Sequence, residues 1–290
     1  MFRARHRRIC DCMNAIAGPC RFDAWHRRAG HYERRVASGA RKIVGMALRG
    51  TSWSHLLDYA SPALFDVIPA RALLAQSREL FSNRSDSTRF SQVRERVGAV
   101  LRERGIDVQV LHGPRPSGEA PLTELSEQIR SDIGQRILDV FFTQIFGGQE
   151  ALLDLRAEKF VAAEGGALHW RPGALYIHWQ PEFLEGLREL YRGFYLEDDA
   201  RFDAGLQHLN MAGSGDALRN LLGRGDPRTT RFDADSFHEN FHELFVRYRD
   251  RGVPLHRNFL PLGVSLMCLY STLDSLGVSL DVRAAVDGAQ

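Results

Sequence analysis

LSEQIRSDIGQRILDVFFTQIFGG, residues 125–148, is the stretch that decides the fold class. Leu125, Ile129, Ile133, Ile137, Val140, Phe141 and Ile145 recur at three- and four-residue steps, so they line one face of a helix that must bury that face against a core. Gly147 and Gly148 end it. On its N-terminal side, HGPRPSGEAP (112–121) reads as a loop. Ile106, Val108 and Val110 before it alternate with Asp107 and Gln109, the period of a half-buried strand. Val93, Val97, Val100 and Leu101 predict a helix over 92–104 with Gly105 as its C-terminal cap. SNRSDST (82–88) reads as a polar linker, and 51–80, broken by Pro62 and Pro69, as short helices with turns.

On the C-terminal side, LHWRPGALYIHW (168–179) predicts a hairpin of two aromatic-rich strands about Arg171, Pro172 and Gly173. Pro181 opens a helix at its first turn, where a missing amide hydrogen costs least. Phe183, Leu187, Leu190, Tyr191 and Phe194 form its buried face. Further helices are expected over 199–210, 237–251 and 261–276, with Gly- and Asp-containing turns between Asn210 and Ser236. The expected class is mainly α with a small β-hairpin, an α+β protein. It divides into a basic head (1–50), a helical segment with one short strand (51–120) and a helical domain with the hairpin near 168–179 (121–290).

With 290 residues, 44% of them apolar, and a mean hydropathy of -0.28, the chain can bury a continuous core, which excludes global disorder and a multi-spanning membrane protein. The net charge of +2 hides an asymmetry: residues 1–50 carry 12 basic against 3 acidic side chains. Such a head can contact nucleic acid or an anionic membrane, but the preferred reading is an arm that is unstructured or docks on the acidic remainder. Four cysteines, three in the head, are too few for a disulfide framework. Because no uninterrupted apolar run marks a secretion signal, a cytoplasmic location is expected. FLPLGVSLMCLYSTLDSLGVSL (259–280) is the most membrane-like stretch, yet Pro261, Gly263 and its hydroxyl residues favour a buried core helix.

FHENFHELF (237–245) is the sharpest local motif. His238 and His242, four residues apart, share a helical face and could grip zinc or iron while Glu239 activates water. Against this, Ser236 and Glu239 spell a capping box, which would place the motif in a first turn and occupy Glu239. A third ligand would have to come from Asp250, His256 or Asp274. In the head, His6, Cys10, Cys12, Cys20, His26 and His31 offer zinc-ligand chemistry without the paired C-x-x-C spacing. No phosphate-binding G-x-x-x-x-G-K-[ST] loop and no G-x-S-x-G elbow occur, and NMAGSGD (210–216) reads as a turn. Trp170, Tyr176 and Trp179 read as cross-strand packing, and Asp198, Asp199 and Arg201 as a helix cap with solvated charge. His169 and His178 share the hairpin without a carboxylate in sequence reach.

GQRILDVFFTQIF, the aromatic hairpin, PEFLEGLRELYRGFYLEDDARFDAGLQHLNM and RGVPLHRNFLPLGVSLMCLYSTLDSLGVSLDV together resemble the C-terminal lobe of the UbiB/AarF-type atypical kinases. The resemblance covers residues 134–286. It implies a protein-kinase-like C-lobe in which a helix ending in Q-I-F precedes a catalytic loop of H-x-D-x-H-x-G-N type, and a hairpin then presents a metal-binding Asp-Phe-Gly. ATP and magnesium are the cofactors it implies. The chain departs from this pattern: GGQEALLDLRAEKFVAAEGGA (147–167) has neither His nor Asn, and His178, Trp179 and Gln180 stand where the hairpin's end should supply the tripeptide. Lys42, in GARKI, has the spacing of the family's lysine motif without its strand. The expectation is a degenerate member acting as a binding or regulatory module for a protein partner or a small molecule, with His178 and Trp179 as candidate cofactor contacts. The alternatives are a metal enzyme using His238, Glu239 and His242, and a helical interaction protein with a basic arm.

Overall fold

The computed structural model describes residues 87–113, 121–163, 166–222, 226–252 and 255–290. The basic head, the 51–80 segment, Lys42 and the His/Cys set of the head lie outside the described residues.

Helix α1 spans Ser87–Glu103 and buries Phe90, Val93, Val97 and Leu101. It begins inside the stretch read as a linker and ends before Gly105, whose φ of 70° makes the turn into strand β1, Val108–Val110. Helix α2, Glu127–Gly147, carries the apolar stripe. Ile133, Ile137, Val140, Phe141 and Ile145 are buried, whereas Ile129 is 44% exposed and Leu125 sits before the helix, so the stripe meets the core only from Ile133 onward. The Arg188 guanidinium closes the end of α2 by donating to the carbonyls of Ile145 (2.8 Å) and Gly148 (3.0 Å). That satisfies carbonyls a helix terminus leaves without partners, with a cation at the negative end of the dipole.

Five short strands follow the order β1-β4-β3 in one sheet and β2-β5 in another, with β2 Glu150–Leu152, β3 Phe160–Ala162, β4 Leu168–Trp170 and β5 Tyr176–His178. The hairpin expected over 168–179 does not form. β4 pairs antiparallel with β3 and parallel with β1, and β5 pairs antiparallel with β2. The physical reason is the segment 171–175 between them: it is drawn aside by a hydrogen bond from Gly173 N to the Asp154 carboxylate (2.9 Å), which sends the two strands into different sheets.

Helix α3, Pro181–Tyr195, starts at Pro181 as expected and packs closely on α4, Asp199–His208. Helix α5, Gly215–Leu222, occupies part of the stretch read as turns. Its Ala217, Leu218, Leu221 and Leu222 form a buried stripe that the neighbouring glycines hid from a periodicity reading. A two-stranded pair, β6 Thr230–Arg231 and β7 Ser279–Leu280, flanks the last long helices, α6 Ala234–Arg251 and α7 Phe259–Leu276. The N-cap of α6 is Asp233, which accepts from Ser236 N (2.7 Å), so Ser236 is the third helical residue and the expected Ser236–Glu239 capping box is replaced by an Asp cap. Helix α7 is long and apolar enough to cross a membrane, but eleven of its eighteen residues are buried in the fold. A short helix α8, Val282–Gly288, is capped by Asp281.

One clamp joins α2 to the start of α8. Gln135 accepts from Asp281 N and donates to Asp281 O (both 3.0 Å), and its amide also reaches Asp139 Oδ1 (3.2 Å). Burial pushes the Asp139 carboxyl up to about 6, against the Gln135 hydrogen bond and the Arg136 charge. Because the native state then holds a proton that the unfolded chain has already released, stability falls as pH rises from about 4 to about 6. Asp139→Asn keeps the acceptor for Gln135 and removes the buried charge. It is expected to raise stability at pH 7 by on the order of 2 kcal/mol and to flatten this part of the pH profile, read by urea denaturation at pH 4, 5, 6 and 7.

Candidate functional site

The apolar run LLDLR (152–156) interrupts itself with two charges, and the fold buries both. Asp154 is 0% exposed and Arg156 4%. Arg156 Nε donates to Asp154 Oδ1 (2.7 Å) and Nη2 to Oδ2 (3.0 Å), a bidentate fork matched to the carboxylate plane. Gly173 N completes the Oδ2 coordination, and a Cβ at Gly173 would stand 2.7 Å from that oxygen, so only glycine allows the approach. Burial works against the guanidinium's charge, but the Asp154 hydrogen bonds and charge outweigh it and hold Arg156 above its ordinary value.

Surrounding elements lock the loop. Trp170 Nε1 donates to Asp154 O (2.9 Å), with its ring stacked on Phe160 at 5.7 Å. From α7, Thr272 Oγ1 donates to Leu155 O (2.7 Å). Cys268 on the same helix is wholly buried, and burial pushes its thiol well above the ordinary range, so it is no nucleophile. Arg156 Nη1 also pairs with the half-exposed Glu158 (2.9 Å).

The other sequence candidates are dispersed. His178 and Trp179, both candidate cofactor contacts, are parted: His178 ends β5 on the outside, and Trp179, just beyond the strand, is buried. His178 is 56% exposed, with Nδ1 3.7 Å from Glu150, at the rim of a cleft of about 400 Å³ lined by Arg96, Val100, Thr143 and Gln149 among others. Trp179 is 1% exposed and stacks on Phe183 at 5.9 Å inside the core. Glu150 is gripped by Arg96 (2.5 and 2.9 Å) and Arg89 (3.3 Å). Burial opposes its charge, yet Arg96 and Arg89 prevail and hold its carboxyl below the ordinary value.

On α6, Glu239 and His242 are exposed and His238 is half-buried. Among the described residues no group of three His, Cys, Asp or Glu converges to hold a metal, so His238 and His242 find no third ligand there. His256 is stacked on Phe183 at 4.8 Å, and Asp250 pairs with Arg249. Asp198 caps α4 by accepting from Arg201 N, and Asp199 pairs with Arg219 (2.7 Å).

Sequence reasoning missed Asp154, Arg156 and Gly173. The available signal was an Asp-x-Arg pair embedded in leucines, because charges inside an apolar run are buried only when paired. No protein-family model matches the chain, and no curated protein matches it either.

Proposed function

We propose that residues 121–290 form a degenerate atypical-kinase-like domain of UbiB/AarF type, acting as a binding or regulatory module without phosphotransfer. The element order supports this reading: a helix ending in Gln144-Ile145-Phe146, a strand, a loop with a central Asp, a β3–β4 hairpin, and a helical tail. Laid on LLDLRAEK (152–159), the family's H-x-D-x-H-x-G-N string keeps Asp154 and replaces its second His by Arg156, its Gly by Glu158 and its Asn by Lys159. With the hairpin at β3–β4, the tripeptide that follows it is Arg171-Pro172-Gly173, in place of His178-Trp179-Gln180, and it keeps only the glycine.

The observation that carries the loss of activity is the Asp154 carboxylate, sealed from solvent with both oxygens committed to Arg156 and Gly173. In kinases the loop Asp accepts the proton of the substrate hydroxyl, while the loop Asn and the tripeptide Asp hold magnesium. Here the residues at the two metal-holding positions are cations, Lys159 and Arg171, and a hard divalent cation requires oxygen ligands. The residues present do not fit magnesium.

The test is an assay of the full chain for phosphate release and self-labelling from magnesium ATP. No turnover above that of an Asp154→Asn variant is expected. Magnesium-dependent turnover that disappears in Asp154→Asn, with the variant still folded by circular dichroism, would refute the proposal.

A further inference from the structure

We infer that Lys159 and Arg171, where the β3–β4 pairing ends, bind the phosphate groups of a small molecule directly, without a divalent cation. The inference deepens the reading above, since Arg171 belongs to the tripeptide that there replaces a metal ligand, but the charges argue for it on their own.

A backbone hydrogen bond brings the two cationic residues together. Phe160 pairs with Trp170, and just beyond this pair Arg171 N donates to Lys159 O (2.8 Å), Lys159 being the last residue of a 3-10 turn, Ala157–Lys159, that leads into β3. Like charges on residues joined in this way repel. The same register puts His169 two residues along, opposite both Val161 and Gln109, and no carboxylate occupies these positions. Val161 is buried, as is the alternate set Val108, Phe160, Leu168 and Trp170, whereas Lys159 and Arg171 are each partly exposed.

Nothing among the described residues neutralises the pair. The nearest acids in sequence, Asp154 and Glu158, are both engaged by Arg156, and neither Lys159 nor Arg171 takes part in an ion pair there. Arg171 Nη1 is moreover shut off from solvent without a hydrogen-bond acceptor among the described residues. A shielded guanidinium nitrogen without an acceptor is costly, and one site with an ammonium and a guanidinium side by side calls for several anionic oxygens at once. A phosphate group, with three such oxygens and close to two negative charges, matches a +2 pair better than a single carboxylate.

The experiment is calorimetric titration of the full chain with sodium tripolyphosphate and with ATP, each in EDTA and each in excess magnesium. Saturable binding in EDTA is expected for both, weaker once magnesium masks the phosphates. Arg171→Gln and Lys159→Gln should each raise Kd about tenfold or more without lowering Tm in ligand-free buffer, and Arg171→Lys should lose less than Arg171→Gln. The inference is overturned by an absence of binding in EDTA, or by affinities that neither glutamine variant changes. Absence of binding together with absence of turnover removes this inference alone, whereas magnesium-dependent turnover that is lost in Asp154→Asn removes the degenerate-kinase reading as well.

Discussion

Arg156→Ala is expected to lower the unfolding free energy by about 3–5 kcal/mol, the cost of stranding a buried carboxylate. Asp154 has no route to water, and Gly173 N satisfies only one of its oxygens. Arg156→Lys should fall between the two proteins, because an ammonium can replace the charge but cannot make the fork to both Oδ1 and Oδ2. Urea denaturation of the three proteins at one pH measures the series. A loss within about 1 kcal/mol for the alanine variant, as seen for exposed pairs, would mean that the pair does not hold the loop. The same experiment bears on function, since the loop that this pair fixes also carries Lys159 next to Arg171.

The second large effect is expected where α3 crosses α4. A Cβ built at Gly193 would lie 2.1 Å from Phe202 N and 2.5 Å from Phe202 Cα, and one at Gly205 would lie 2.5 Å from Leu190 N. These are backbone atoms of the partner helix, so no rotamer change can make room and the helices must separate. Gly193→Ala should therefore cost about 3 kcal/mol or more, at the upper end of what overpacking does. Gly98→Ala is the control: it also lies within a helix, but its Cβ would meet Arg102 and Val110 side chains at 3.5 and 3.7 Å, ordinary contact. It should be neutral or stabilise by up to about 1 kcal/mol through helix propensity. Thermal unfolding of both variants checks the pair, and equal losses would show that the interhelical approach is looser than the structure has it.

These two effects mark where reading along the chain stops. Ile133, Ile137, Val140, Phe141 and Ile145, the Pro181 helix start, the Gly105 turn and the alternation about Val108 were legible because each expresses a period or a backbone preference within a few residues. Helix α5 was not, since Gly213 and Gly215 punctuate a segment whose helix is only eight residues long. The cap of α6 was misplaced by three residues because Asp233 and Ser236 are both good caps, and only the folded backbone shows that Ser236 N is the donor.

For the candidate site the division is sharper. That residues 168–170 and 176–178 prefer extended backbone is a local property of LHW and YIH, legible from those residues alone. Which strands they join was decided by the tertiary structure, when Gly173 turned toward Asp154 and sent β4 to β3 and β5 to β2. Likewise the sequence determined that Asp154 and Arg156 are charged and two residues apart. Only the packing of Trp170, Thr272 and Cys268 around them excluded water and made the pair a fixed structural element instead of two solvated side chains. Periodicity and caps follow from interactions between residues a few positions apart, whereas strand partnership and the burial of charge depend on groups brought together from distant parts of the chain.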